Sequence, residues 1–221
     1  MYIGARGGRN LRELRELKDL RAQARTEHVV PVRVVGLTGG IASGKTVATD
    51  ALRDAGFTVV DADEVSRELT AKGTPVEKEL VKLFPSAADN GALDRRKLRL
   101  LIAGDASARK RLDAYTHPLI VAEIKKRLGG DRVILSAPLL FESALSALCD
   151  ATVCVVCPRR IRIERLTKRD GMTAADAERM IDAQMSDSIR APLADFCVPS
   201  DTSEDEFRAE IVALFEDIFG I

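Results

Sequence analysis

Gly39-Gly40-Ile41-Ala42-Ser43-Gly44-Lys45-Thr46 satisfies the pattern G-x-x-x-x-G-K-[ST] at every position, and it constrains this chain more than any other stretch. An apolar run precedes it and a helical pattern follows, which is the strand–loop–helix context that the pattern requires. Glycines let successive backbone N–H groups turn inward around a phosphate, and the helix that follows adds its positive N-terminal end. The residues expected to line a bound nucleotide are Gly39, Gly40, Ile41, Ala42, Ser43, Gly44, Lys45, Thr46 and Val47. Lys45 would reach the β- and γ-phosphates, and the Thr46 hydroxyl would hold Mg²⁺. ATP and Mg²⁺ are therefore the expected cofactors.

Apolar runs at Val32–Leu37, Phe57–Val60, Val133–Leu135, Thr152–Val156 and Phe196–Val198 read as strands covered on both faces. Helical patterns separate most of them, at Thr46–Ala55, Pro118–Leu128, Arg159–Lys168 and Thr173–Ser186. Strand alternating with helix predicts an α/β fold, a P-loop NTPase with a parallel five-stranded sheet flanked by helices. About seventy residues lie between the second and third strands, far more than a crossover needs. They predict a helical substrate-binding insert over about 64–130, with a turn at Asp89-Asn90-Gly91 and a helix over Asp94–Ile102. A P-loop domain spanning 32–221 is expected, with a basic lid over about 159–190.

Residues 1–31 stand apart, as an N-terminal extension that is possibly disordered or helical. They hold seven basic and four acidic residues, and Leu11, Leu14, Leu17 and Leu20 recur every three positions. That spacing spirals around a helix instead of forming a stripe. The acids argue against a transit peptide, and a dispensable extension, a partner-binding helix and a targeting segment stay open.

Composition narrows the partners. The 221 residues carry 34 Lys+Arg against 34 Asp+Glu, a formal net charge of zero, which argues against a nucleic-acid binder. No apolar run is long enough to span a bilayer, so no membrane partner is expected. Four cysteines make no disulfide framework, and a cytoplasmic location is the default expectation. Cys154-Val155-Val156-Cys157 lies in an apolar strand without a second pair at zinc spacing, so all four cysteines read as buried structural thiols.

The second strand runs into Val59-Val60-Asp61-Ala62-Asp63, at the carboxyl edge of the sheet where ligands bind in such folds. Strand alternation would project Asp61 and Asp63 on one side. One carboxylate could then accept a proton from an acceptor hydroxyl while the other bound a magnesium water; both could instead cap the next helix. Arg67, four residues after Asp63, suits either an anionic substrate or a salt bridge. Arg160, Arg162, Arg165, Lys168 and Arg169 crowd one segment, with Arg165 and Arg169 on one helical face. The charges suit a lid over a transferring phosphoryl group, or a solvated face. Thr167-Lys168-Arg169-Asp170 imitates a guanine-reading motif but falls inside a helix. His117 before Pro118 reads as a helix-starting or functional residue.

Taken in order, these segments resemble the dephospho-CoA kinase family from about Val34 to Phe215. They are Gly36–Lys45, Asp61-Ala62-Asp63, Gly73-Thr74-Pro75, Asn90–Arg95, His117-Pro118, Pro138-Leu139-Leu140-Phe141-Glu142, Arg165, Arg169-Asp170-Gly171 and Gln184. The resemblance implies transfer of the ATP γ-phosphate to the ribose 3′-hydroxyl of dephospho-CoA, by a monomer or small homo-oligomer. It implies Asp63 as the base on that hydroxyl and Lys45, Arg165 and Arg169 as catalytic groups. On the acceptor side it implies Asp61, Arg67, Arg95 and His117. Ala42, Ser136-Ala137 and Pro199-Ser200-Asp201 depart from the family's usual pattern. The first puts a Cβ near the phosphates, the second removes an expected magnesium ligand, and the third alters an adenine contact. Another small-molecule kinase and a non-enzymatic P-loop regulator remain as alternative readings.

Overall fold

The computed structural model describes residues 32–221; the leucine-spaced segment discussed above lies outside them. Strands β1 (Val34–Gly39), β2 (Thr58–Asp61), β5 (Val133–Ser136), β6 (Ala151–Val156) and β7 (Phe196–Pro199) form one sheet in the order β2-β5-β1-β6-β7. β1 pairs parallel with β5 and β6, and β6 pairs parallel with β7. β1 is buried along its whole length, as the unbroken apolar run predicts for a strand covered on both faces. It also extends to Gly39, so the first glycine of the phosphate-loop pattern is the last strand residue.

The chain divides into two compact units. The first comprises residues 32–59 and 130–221. Its core gathers Val35, Leu37, Ile134, Val153 and Val155 of the sheet with Leu52 of the helix after the loop and Phe207, Ile211, Leu214 and Phe215 of the last helix. Its helices are α1 (Lys45–Asp54), α6 (Arg159–Asp170), α7 (Ala174–Asp182), α8 (Asp187–Leu193) and α9 (Glu204–Phe219). The single helix expected over Thr173–Ser186 is shorter, and α8 follows as a separate element; Pro192 lies within α8. A second, smaller cluster sits under α6 and α7, where Leu166, Ala177 and Ile181 are buried and Ile41, Ala42, Ile163 and Met172 pack on them.

The second unit, Val60–Gly129, holds α2 (Ala62–Leu69), α3 (Pro75–Leu83), a two-strand hairpin β3 (Ala88–Asp89) and β4 (Ala92–Leu93), α4 (Arg95–Gly104) and α5 (Ala106–Arg127). Leu80, Phe84, Ala87, Leu98 and Ala108 form its core. Asn90 and Gly91, both with positive φ, make the turn between β3 and β4. The expected helix start at Pro118 is not observed: α5 runs through that proline without a break. A proline removes one ladder hydrogen bond, yet α5 begins a full three turns earlier at a capped end, where the Asp105 carboxylate accepts from Ser107 and Ala108 N–H.

Candidate active site

The phosphate-loop turn is built from backbone. Ser43 N–H donates to the Gly40 carbonyl at 3.0 Å, and Gly44, with φ of 102°, leads into α1. A Cβ on Gly39 would stand 2.5 Å from Ser43 Oγ and 2.9 Å from the Val155 carbonyl oxygen, so only glycine fits there. Asp61, Thr74, Asp94, Asp105, Thr173 and Ser203 cap other helices with their side chains. α1 has no side-chain cap and no acidic residue in its first turn. Its N-terminal amides are thus left for an anion, which is what a triphosphate needs.

Ala42 occupies the left-handed region with φ of 59°. That conformation costs a non-glycine residue about 1–2 kcal/mol. Packing of Ala42 on the Leu166–Ala177–Ile181 cluster offsets it. The methyl that the sequence expectation placed near the phosphates therefore has an apolar place to go.

Lys45 Nζ donates to Ser136 Oγ at 2.7 Å. Ser136 is buried at the end of β5, where the strand pairing with β1 carries it beside the loop. Thr46 is exposed on the first turn of α1, and its hydroxyl is the hard oxygen donor that Mg²⁺ accepts alongside phosphate oxygens. Among the described residues no group of three His, Cys, Asp or Glu side chains could hold a metal.

The basic helix α6 is tied to the loop by its inner arginines. Arg165 donates to the Ser200 carbonyl at 2.6 Å, to Ser200 Oγ at 3.1 Å and to the Ala42 carbonyl at 3.2 Å. Ser200 Oγ in turn donates to the Ser43 carbonyl. Arg162 donates through Nε to the Ile41 carbonyl at 2.7 Å, and Gln184 Oε1 accepts the Ile41 N–H at 2.7 Å. Arg169 is different. It is exposed and chelates its neighbour Asp170 through two bonds of 2.7 Å, which hold that carboxyl below the usual aspartate range. Arg165 and Arg169, four apart on one continuous helix, thus differ in environment.

Sequence reasoning singled out neither Arg162 nor Ser200 as a loop support. Each acts on a backbone carbonyl far away in sequence, a contact that no spacing pattern encodes. Ser200, read beforehand only as a departure at an adenine contact, is a buried link between Arg165 and Ser43. The cysteine expectation holds for Cys154 and Cys157, which are buried, but Cys149 and Cys197 are only partly so. Burial pushes the Cys149 thiol up to about 12.

In the second unit, strand alternation fails at the Asp-Ala-Asp segment because the strand ends at Asp61. Asp61 is the N-cap of α2, accepting from Asp63 N–H at 2.9 Å and Glu64 N–H at 3.1 Å. Asp63 lies in the first helical turn and is exposed; Arg67 is exposed one turn on. Arg95 reaches back to the end of α2, donating to the Arg67 carbonyl and the Thr70 carbonyl, both at 3.0 Å. His117 is exposed at mid-α5, inside the helix and not at its start. Of the expected acceptor-side residues, the unit therefore joins Arg95 to Arg67 directly, through main chain.

Comparison with known proteins agrees with this geometry. Residues 33–206 match the family model described as dephospho-CoA kinase. The dephospho-CoA kinase of Moorella thermoacetica is 37% identical over 194 residues, covering 84% of this chain and 92% of the relative. Among solved structures, TT1252 from Thermus thermophilus superposes with a TM-score of 0.72 at 32% identity, covering 85% of this chain and 98% of that one. Dephospho-CoA kinase from Campylobacter jejuni gives 0.65 at 25% identity, covering 85% and 97%.

Proposed function

This chain belongs to the dephospho-CoA kinase family, and we propose that it transfers the γ-phosphate of ATP to the ribose 3′-hydroxyl of dephospho-CoA, giving CoA and ADP. The observation that carries the reading on this chain is the uncapped start of α1 behind a glycine turn, with Lys45 at its first position. Such a terminus offers amides and one ammonium to a triphosphate and competes with them through no carboxylate of its own.

Asp63 takes the proton of the 3′-hydroxyl. The oxygen then attacks the γ-phosphorus in line, and the bond to the β–γ bridging oxygen breaks with its electrons leaving on ADP. Asp63 is the exposed carboxylate of the pair, whereas Asp61 caps α2 through two amides. Lys45 stabilises charge spreading onto the transferring oxygens. Arg169 adds to this from the solvent side, and Arg165 does so chiefly by holding the loop. Mg²⁺, when bound to the nucleotide and Thr46, neutralises charge on the phosphate oxygens. Arg67, Arg95 and His117 serve the acceptor; Arg95 does so in part by fixing the end of α2. We place the protein in the cytoplasm, as a monomer or small homo-oligomer, with no nucleic-acid or membrane partner; no helix among the described residues is long and apolar enough to cross a membrane.

The test is coupled ADP release from ATP and Mg²⁺ with dephospho-CoA, adenosine or AMP as acceptor, and mass analysis of the product. Turnover that depends on dephospho-CoA, with a product of CoA mass, is the expected result. Turnover with adenosine or AMP alone would move the acceptor assignment, and acceptor-independent hydrolysis would favour a regulator.

A further inference from the structure

The Ile41 peptide in the phosphate loop is gripped from both sides, its N–H by Gln184 and its carbonyl by Arg162, each at 2.7 Å. Arg162 is 4% exposed. Burying a guanidinium is costly unless an opposite charge pairs with it. Its Nη1 donates to Asp187 Oδ2 at 3.0 Å. The other oxygen of Asp187 accepts from Arg190 Nη1 at 2.9 Å, and Arg190 Nη2 stands 3.7 Å from Glu142 Oε1.

Arg162, Asp187, Arg190 and Glu142 form a row of alternating charge that leads away from the loop to the exposed Glu142. Arg190 is wholly buried, and its Nε and Nη2 have no hydrogen-bond partner among the described residues. It is present for its charge more than for its bonds, and that charge acts on Asp187. At its loop end the row meets Gly40: a Cβ there would stand 2.5 Å from Arg162 Nη2 and 2.9 Å from its Cζ. The second glycine of the loop thus makes room for the guanidinium.

We propose that Arg162 is a positioning residue for the ATP phosphates, held by the Asp187–Arg190–Glu142 row, which fixes the Ile41 peptide so that the loop amides stay turned toward the triphosphate. This rests on the reading that the loop binds ATP. Arg162 touches backbone, and its effect reaches the nucleotide only through the loop.

Two variants, Arg162→Gln and Asp187→Asn, test it by steady-state kinetics in both substrates and by direct binding of a fluorescent ATP analogue. In Arg162→Gln, KM for ATP and the analogue Kd are expected to rise about tenfold or more, the scale of a lost charge-assisted hydrogen bond. KM for dephospho-CoA and kcat should stay within about threefold. Asp187→Asn removes the charge that holds Arg162 while keeping its shape, and it should reproduce the split should Arg162→Gln not fold. Combined, the two substitutions should cost little more than either alone. An analogue Kd within twofold of wild type in Arg162→Gln overturns the proposal. So does an equal rise in both KM values, or additivity in the double variant. A wild-type protein that binds the analogue but has no dephospho-CoA-dependent turnover overturns the acceptor reading and leaves this one to the binding measurement.

Discussion

Lys45 Nζ donates to Ser136 Oγ at 2.7 Å, a contact between the first residue of α1 and the last residue of β5. A hydroxyl holds an ammonium more weakly than a carboxylate would, and so lets it leave for a phosphate at smaller cost. Replacing Lys45 with Met should therefore lower kcat by ~10²-fold or more, within the range for loss of a preorganised charge at a developing anion. Ser136→Ala should change kcat by less than about threefold, because the serine's partner moves to substrate in the working state. Comparable losses in the two variants, measured as acceptor-dependent ADP release, would mean that Ser136 itself takes part in the chemistry.

Asp61 and Asp63 divide capping from proton transfer. Asp61→Ala removes the acceptor of two amides at the start of α2 and should cost about 1 kcal/mol in stability, whereas Asp61→Asn keeps the cap and most of that energy. Asp63→Asn should cut kcat by ~10²-fold or more, with little change in ATP binding. Near-wild-type turnover in Asp63→Asn would remove that carboxylate from the reaction.

Both results bear on how far this molecule is readable from its sequence. The loop was readable because its chemistry is contiguous: glycines, lysine and hydroxyl sit within eight residues, and amides do the work. The sheet strands were readable because burial on both faces leaves unbroken apolar runs, and each was misplaced only at its ends. The Asp-Ala-Asp segment was misread geometrically, since a period of two was carried past Asp61, where the helix begins. Pro118 is a false start signal for α5, because Asp105 already supplies a cap three turns earlier. The supports of the loop were invisible for another reason. Arg162 to Ile41, Arg165 to Ser200, and Gln184 to Ile41 are side-chain-to-backbone bonds across the fold, and any sequence can hold an arginine there without making them.

Arg165 and Arg169 should come apart experimentally although they lie one turn apart on α6. Arg165 satisfies two carbonyls and a hydroxyl in a half-buried setting. Arg165→Ala should lower the melting temperature by several degrees and weaken ATP binding, because acceptors are left without their donor. Arg169 is 63% exposed and paired only with its neighbour among the bonds given above, a class of pair worth little to folding. Arg169→Ala should leave the melting temperature within about a degree while lowering kcat. An Arg169→Ala protein with unchanged kcat would confine the work of α6 to its inner face.

The helical unit should carry its own acid sensitivity through Glu77. Its carboxylate accepts from Leu93 N–H at 2.7 Å and from Gly73 N–H at 3.3 Å, joining α3 to the hairpin and to the loop before it. The Leu93 bond foremost, and then the Gly73 bond and nearby lysines, hold it below the usual glutamate range against the opposing effect of desolvation. Asp94, capping α4 through Lys97 and Arg96 N–H, is lowered in the same sense. With the folded pKa depressed, the stabilisation is complete above the unfolded carboxylate value of about 4.3 and is lost as pH falls through the folded one, because the unfolded chain takes up its proton first. Glu77→Gln should therefore melt below wild type at pH 7, and the gap should narrow steadily as pH falls below about 4.3. A gap of constant size across that range, followed by circular dichroism, would show that the shape of the Glu77 side chain matters and its charge does not.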